Sequence, residues 1–202
     1  MKTLLVALNA KYVQSNLAVR TLRTACLDYN LECEIYESNV NEQLSTHLEA
    51  IVSSNPDIIG FSCYIWNISQ VKLLISDIRK LLPQVVIVLG GPEVSEVPED
   101  SLTKYKPDYV IAGAGEKAWP ELILALIDGR QMPRVIRMPV SLTETQFPYL
   151  PHEDLKNHLV YYEASRGCAN RCAYCLSSVN RQIEFRPLEL VFDDLEKLWR
   201  MG

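Results

Sequence analysis

From the N-terminus to about residue 138, short β-rich runs alternate five times with longer stretches of helical period, and this alternation restricts the fold more than any other feature. Residues 2–8 form a continuous apolar run, the pattern of a strand buried on both faces of a parallel sheet. Further strands are expected at 32–36, a weaker alternating run suited to a sheet edge, and at 57–62, 85–89 and 109–112. Between them Asn16 can cap a helix with Leu17, Val19, Leu22, Ala25 and Cys26 on one side, which makes Cys26 a core residue. Leu44, Leu48, Ile51 and Val52 mark a second helix, on which His47 reads as a surface or boundary residue. Val71, Leu74, Ile75, Ile78 and Leu82 mark a third, stopped by Pro83. Leu122, Ile123, Leu126 and Ile127 form the buried side of a last one, with Pro120 in its first turn and Gly129 after its end. The expected architecture is a doubly wound, five-stranded parallel sheet.

Such a sheet binds ligands in the crevice outside the carboxyl ends of its strands. The loops that matter are then residues 9–15, 62–67, 90–95 and 113–116. Gly90-Gly91-Pro92-Glu93 and Gly113-Ala114-Gly115-Glu116 follow strands directly, where missing side chains let a phosphate or sugar approach the backbone. The same glycines also fit ordinary turns. No G-x-G-x-x-G follows the first strand and no G-x-x-x-x-G-K-[ST] occurs, so conventional dinucleotide and ATP binding lose their support.

Composition removes other classes. With 20 Lys plus Arg against 25 Asp plus Glu, the net charge of −5 offers no basic surplus for a nucleic-acid backbone. No apolar run approaches the ~20 residues that span a bilayer, so no membrane partner is expected. The first residues imitate a secretory signal, but Asn9 and Lys11 interrupt the apolar centre early, and a buried strand is the better reading. That places the chain in the cytoplasm, with six cysteines as thiols or metal ligands.

Residues 139–159, with Pro139, Pro148, Pro151 and two histidines, read as a linker whose His152 and His158 are solvated. Residues 160–164 read as a strand that feeds Ser165-Arg166-Gly167-Cys168-Ala169-Asn170-Arg171-Cys172-Ala173-Tyr174-Cys175. A further strand at 182–186 and a helix opened by Pro187, with apolar Leu190, Val191, Leu195, Leu198 and Trp199, follow. Three thiols at C-x3-C-x2-C spacing can hold a small cluster or ion. Structural zinc wants four ligands, and no spacing recommends His152, His158 or Cys63 as the fourth. An iron-sulfur cube on three cysteines leaves one iron free for chemistry. Arg166 and Arg171 beside the thiolates would stabilise their charge.

Cys168-x3-Cys172-x-Tyr174-Cys175, preceded by Glu163-x-Ser165-Arg166-Gly167, resembles the cluster motif of radical S-adenosylmethionine enzymes. The glycine loops, together with Asn9-Ala10-Lys11-Tyr12 and Tyr64-x-Trp66-Asn67, make the whole chain similar to the branch that carries an N-terminal, Rossmann-like or flavodoxin-like cobalamin-binding domain. The resemblance implies a cobalamin-binding domain at 1–138, a linker at 139–159 and the first strand-helix portion of a radical enzyme's partial barrel at 160–202. It implies that Cys168, Cys172 and Cys175 bind three irons of a 4Fe-4S cluster, and that S-adenosylmethionine is cleaved reductively at the fourth with Tyr174 near the adenine. Asn9, Tyr12, Ser62, Tyr64, Asn67, Gly90, Gly91, Pro92, Glu93, Gly113, Gly115 and Glu116 would line cobalamin. The implied chemistry is methyl transfer or a cyclase-type step on an unknown substrate, with electrons from a donor such as flavodoxin or ferredoxin.

Many cobalamin domains supply a histidine to cobalt from a D-x-H-x-x-G motif after the first strand. Here that loop, residues 9–15, holds no histidine, so either cobalt is bound without a protein imidazole beneath it or the corrinoid has been lost. Only 27 residues follow Cys175, so the chain is expected to lack most of the S-adenosylmethionine pocket and the substrate-selecting residues, and to be inactive alone. Two other readings compete: a radical methylthiotransferase, which would need a second cluster on front-domain cysteines, and a corrinoid or nucleotide module with a structural metal site.

Overall fold

A computed structural model of the chain describes residues 1–170, 172–175 and 182–201. Six parallel strands form one sheet in the order β2-β1-β3-β4-β5-β6. They are β1 Thr3–Asn9, β2 Glu34–Asn39, β3 Ile58–Ser62, β4 Val86–Gly90, β5 Tyr109–Ile111 and β6 Val135–Ile136. The five strands expected of the sheet are all present, and β2 is the edge strand its weak alternation suggested. The sixth was not foreseen, because two residues are too few to show a period. It is a true ladder member: Val110 N–H donates to Arg134 O at 2.8 Å and Ala112 N–H to Ile136 O at 2.9 Å.

The sheet is central because its strands are apolar throughout. Leu4, Leu5, Val6, Ala7 and Leu8 are all buried, so successive side chains of β1 serve opposite faces. On one face Leu4, Val6 and Leu8 pack with Ile51 of α2 (Leu44–Ser54) and with Val71, Leu74, Ile75 and Ile78 of α3 (Ile68–Leu81). On the other, Leu5 and Ala7 pack with Val19 and Cys26 of α1 (Leu17–Leu27) and with Trp119, Leu122 and Ile123 of α6 (Ala118–Ile127). Gly60 in β3 admits this layer, since a Cβ there would lie 2.9 Å from both Leu5 and Trp119. Asn16 caps α1 as its residue type suggested, accepting from Val19 N–H. Two short helices between β4 and β5, α4 (Pro92–Ser95) and α5 (Pro98–Tyr105), carry too few apolar residues to have been read as helices. Ile127, expected inside, is exposed at the end of α6.

His47 corrects the sequence reading more sharply. It is fully buried, because it shares the inward stripe of Leu44, Leu48 and Ile51. Its Nδ1 is 2.9 Å from the Tyr36 hydroxyl, while Nε2 has no partner. Burial holds its pKa below the ordinary histidine value.

The segment expected to be a loose linker is strapped to the sheet's carboxyl side. Gln14 and Leu159 form a parallel bridge, with Ser15 N–H donating to Leu159 O and Leu159 N–H to Val13 O. Glu153 accepts from Arg20 and Arg23 of α1, and Arg20 also pairs with Glu37 of β2 at 2.7 Å. Although burial alone would raise the Glu153 carboxyl, these partners and the Leu150 N–H bring it below its usual range. His152 and His158 are exposed, as linker histidines were expected to be.

Residues 160–164 make no ladder. The Tyr149 hydroxyl donates to Tyr161 O and accepts from Tyr161 N–H, and Ala164 O accepts from Arg186 N–H. Pairing begins later, with β7 (Ser165–Arg166) antiparallel to β8 (Glu184–Phe185), before helix α7 (Leu188–Arg200). The strand expected at 182–186 is thus shortened to two residues. Helix α7 buries Asp194 alone, which accepts from Arg186 at 2.9 Å and from the Tyr162 hydroxyl at 2.9 Å, while Glu189, Asp193, Glu196, Lys197 and Arg200 are exposed. Among the described residues no helix is long and apolar enough to cross a membrane.

The buried His47 sets a pH dependence. Below the unfolded-state pKa of roughly 6.5 the unfolded chain binds a proton that the folded chain resists, so stability falls as pH drops. Urea midpoints measured from pH 7 to 5 should decline, and His47→Leu, which suits the apolar surroundings, should flatten that decline; an identical slope in the variant would contradict the assignment.

Candidate functional site

The strand order reverses direction between β1 and β3, and it is there that a doubly wound sheet opens its ligand crevice. Asn67 closes the floor of this crevice. Its amide nitrogen donates to Leu8 O at 3.0 Å and Ser62 O at 2.8 Å, and its oxygen accepts from Tyr64 N–H at 2.9 Å. The side chain is buried, so it shapes the loop after β3. Above it the Tyr64 and Trp66 rings stack, with centroids 4.4 Å apart and planes within 7°. Trp66 Nε1 donates to Leu8 O at 3.2 Å, which holds this half-exposed aromatic platform over the end of β1.

Asn9 plays a similar inner role for the loop after β1. Its amide donates to Gln14 O and to Glu37, both at 2.8 Å, and accepts from the Asn16 amide. Tyr12 is exposed on the same loop. Asn9 and Asn67, expected as ligand contacts, are both buried and bonded to the loops around them.

The glycines separate by role. Gly91 has φ +105°, and a Cβ there would stand 2.6 Å from Cys63 O, so the chain itself requires a glycine. Cys63 N–H donates to Gly90 O and Glu93 N–H to Cys63 O, joining the two strand ends. Cys63 is fully enclosed, and burial raises its thiol pKa. Gly115 packs on Leu22, 2.8 Å from where its Cβ would stand. Gly113, at φ +93°, has no atom within 4 Å of a Cβ position, and its N–H donates to Ser95 Oγ. Gly90 is also nearly open, with only Ile111 O at 3.6 Å. Ser62 lies at the end of β3, Pro92 opens α4, and Glu93 is exposed on it.

Glu116 links this edge to the cysteine loop. It accepts from Arg166 Nη2 at 2.6 Å, and the same guanidinium meets Glu163 at 2.7 Å. Burial alone would lower the Arg166 pKa, but the two carboxylates raise it. Arg166, expected beside the thiolates, thus faces carboxylates, and its buried Nη1 has no partner. The Glu163-x-x-Arg166 spacing could have suggested the nearer bond; the Glu116 partner, fifty residues away, had no sequence signal. Gly167 follows at φ +95° and turns the chain into the loop.

Cys168, Cys172 and Cys175 are half-buried on that loop, with Cys175 N–H donating to Cys172 O at 3.1 Å. Tyr174 is almost wholly exposed. Among the described residues no three His, Cys, Asp or Glu side chains converge on one point, so the thiols share a loop without forming a ready cage. Arg171 lies outside the described residues. Their donor chemistry, three soft thiolates, suits iron and sulfide. The carboxyl edge in turn offers an aromatic platform and glycine gaps of the kind a bulky planar cofactor needs. It offers no imidazole of its own, since His47 is enclosed and His152 and His158 stand on the 139–159 strap.

The chain is similar to several known proteins. The cobalamin-dependent radical SAM methyltransferase TokK of Streptomyces tokunonensis is 27% identical over 149 residues, covering 59% of this chain and 22% of that protein. The tRNA-2-methylthio-N(6)-dimethylallyladenosine synthase of Bacteroides thetaiotaomicron is 27% identical over 127 residues, covering 62% and 27%. The solved structure of the cobalamin-dependent S-adenosylmethionine radical enzyme OxsB, with aqua-cobalamin and S-adenosylmethionine bound, covers 100% of this chain and 32% of its own, with a TM-score of 0.82 and 19% identity. The chain thus shares that enzyme's fold while spanning about a quarter of the length of these curated relatives and a third of the solved chain. Residues 3–123 match the profile described as B12 binding domain, and with the sheet order, the open edge and this match in agreement, the chain belongs to the B12-binding domain family.

Proposed function

We propose that this chain is the N-terminal portion of a cobalamin-dependent radical S-adenosylmethionine enzyme of methyl-transfer or cyclase type. The observation that carries the reading is the Arg166–Glu116 ion pair, which ties the start of the C-x3-C-x2-C loop to the glycine loop of a B12-binding sheet. A corrinoid at the one site and a cluster at the other would then be neighbours. When bound, the cluster supplies the electron that cleaves S-adenosylmethionine and the corrinoid carries a methyl group or assists a rearrangement.

The chain's own residues divide the work. Cys168, Cys172 and Cys175 hold iron, and Tyr174 covers the adenine. Gly90 and Gly113 leave room for the corrinoid, Tyr64 and Trp66 support it, and Asn9 and Asn67 fix the loops around it. Ser62, Pro92, Glu93, Gly115 and Tyr12 complete the rim. A bound corrinoid would receive no imidazole from the loop after β1, because residues 9–15 hold no histidine. Residues 1–138 form the cobalamin domain, 139–159 the strap and 160–202 the start of the radical domain. The whole enzyme works in the cytoplasm on a substrate chosen elsewhere in it, with a flavodoxin or ferredoxin as electron donor.

The tRNA-modifying relative favours a second reading, a radical methylthiotransferase. Cys26 and Cys63 weigh against it, because they sit in core clusters on opposite faces of the sheet and cannot share a second metal cluster.

Titration with hydroxocobalamin should give a saturable spectral change at micromolar concentration. Gly113→Val, which fills the open position, should weaken it about tenfold, equivalent to ~1.4 kcal/mol; no binding to the unaltered chain at high micromolar concentration would sink the cobalamin assignment. Anaerobic reconstitution with iron and sulfide should yield about four irons per chain, and far fewer in Cys172→Ala. Glu116→Gln removes one charge from Arg166 and should roughly halve the iron retained after desalting. Unchanged iron in both variants would contradict the cluster assignment and its tether.

A further inference from the structure

At the amino edge of the sheet, opposite the cofactor loops, two thiols that none of this chemistry uses pack on one apolar cluster. Cys26 lies in the last turn of α1, fully buried among Val19, Trp119 and Leu122. Cys33 precedes β2, packs on the same cluster and remains half-buried. The intervening chain winds tightly: Tyr29 and Leu31 N–H groups both donate to Cys26 O at 3.0 Å, and Asn30 takes φ +54°. This turn returns Cys33 to the apolar cluster that encloses Cys26, where the two residues interact and the Cys33 thiol also donates to Glu34 O at 3.9 Å. The Trp119 indole belongs to the same cluster and is 1% exposed, yet its Nε1 has no conventional hydrogen-bond partner. A buried donor left so is costly unless something at that place can accept from it.

We propose that Cys26 and Cys33 form a reversible dithiol–disulfide site that reacts with low-molecular-weight disulfides. The two thiols are unequal. Interaction with Cys26, with Thr3 and Arg23 assisting, holds the Cys33 pKa down, whereas the same interaction and burial raise that of Cys26. Cys33, the more accessible, attacks one sulfur of RSSR; an S–S bond forms to Cys33 and RS⁻ departs. Cys26 gives its proton to a departing thiolate and attacks the Cys33 sulfur, expelling the second RS⁻. The pair loses two electrons and two protons, and the small disulfide becomes two thiols. The product joins the end of α1 to the start of β2 without using Cys168, Cys172 or Cys175.

The test needs only the unaltered chain. It is incubated anaerobically in glutathione buffers of rising oxidised fraction, quenched in acid, alkylated and mapped by peptide mass. The expected result is a Cys26–Cys33 linked peptide, two hydrogens lighter, in more than half of the chains while Cys63 stays alkylatable. In Cys26→Ser a glutathione adduct should persist on Cys33. Either a Cys33 adduct that persists in the unaltered chain or the absence of the linked peptide at every ratio overturns the proposal. Neither result depends on cobalamin or iron, so the outcome is separate from that of the cofactor reading.

Discussion

The parallel hydrogen-bond ladder of β1, β3 and β4 is the constraint on which the rest depends. Strands buried on both faces must satisfy their polar backbone within the sheet, so side chains there are free only to pack. Every connection must then cross over through a helix, and every loop is sent to one of two edges. The reversal between β1 and β3 leaves the carboxyl edge open at one place. Asn67 and Trp66, both bonded to Leu8 O, set the shape of that opening. Function at this edge follows from the ladder, since a ligand can reach the fold only where the ladder stops.

The second organising element is ionic. Arg20, Arg23, Glu37 and Glu153 form a half-buried group that fixes the 139–159 strap across α1, and Arg166, Glu116 and Glu163 repeat the device beside the cysteine loop. Such pairs add little net stability once desolvation is counted, but removing one member leaves a buried charge uncompensated. Their effect is therefore to specify position. They hold the strap and the cysteine loop in one arrangement against the sheet.

Much of this was legible in the sequence because burial on both faces leaves a plain signal. The runs that became β1, β3 and β4 are nearly pure aliphatic, and the stripes of α1, α3 and α6 repeat at helical spacing. Other elements lacked such a signal. β6 has two residues, α5 has only Leu102 and Tyr105 as apolar anchors, and in the strand expected at 160–164 the Tyr161 backbone bonds the Tyr149 hydroxyl. His47 was misjudged because a polar residue type outweighed its place on an apolar stripe. At the candidate site, motif spacing located the glycine and cysteine loops. It could not show how the loops are braced, because the bonds Asn9–Glu37, Asn67–Leu8 and Arg166–Glu116 join positions far apart in the chain.

The central claim is that one edge of the sheet, and not the other, is a corrinoid site. Hydrogen exchange with and without hydroxocobalamin tests it most directly. The account predicts slowed exchange at residues 9–16, 62–67, 90–95 and 113–116, with none at the turn 27–33 on the opposite edge. Protection spread evenly over both edges, or confined to residues outside those four loops, would contradict it.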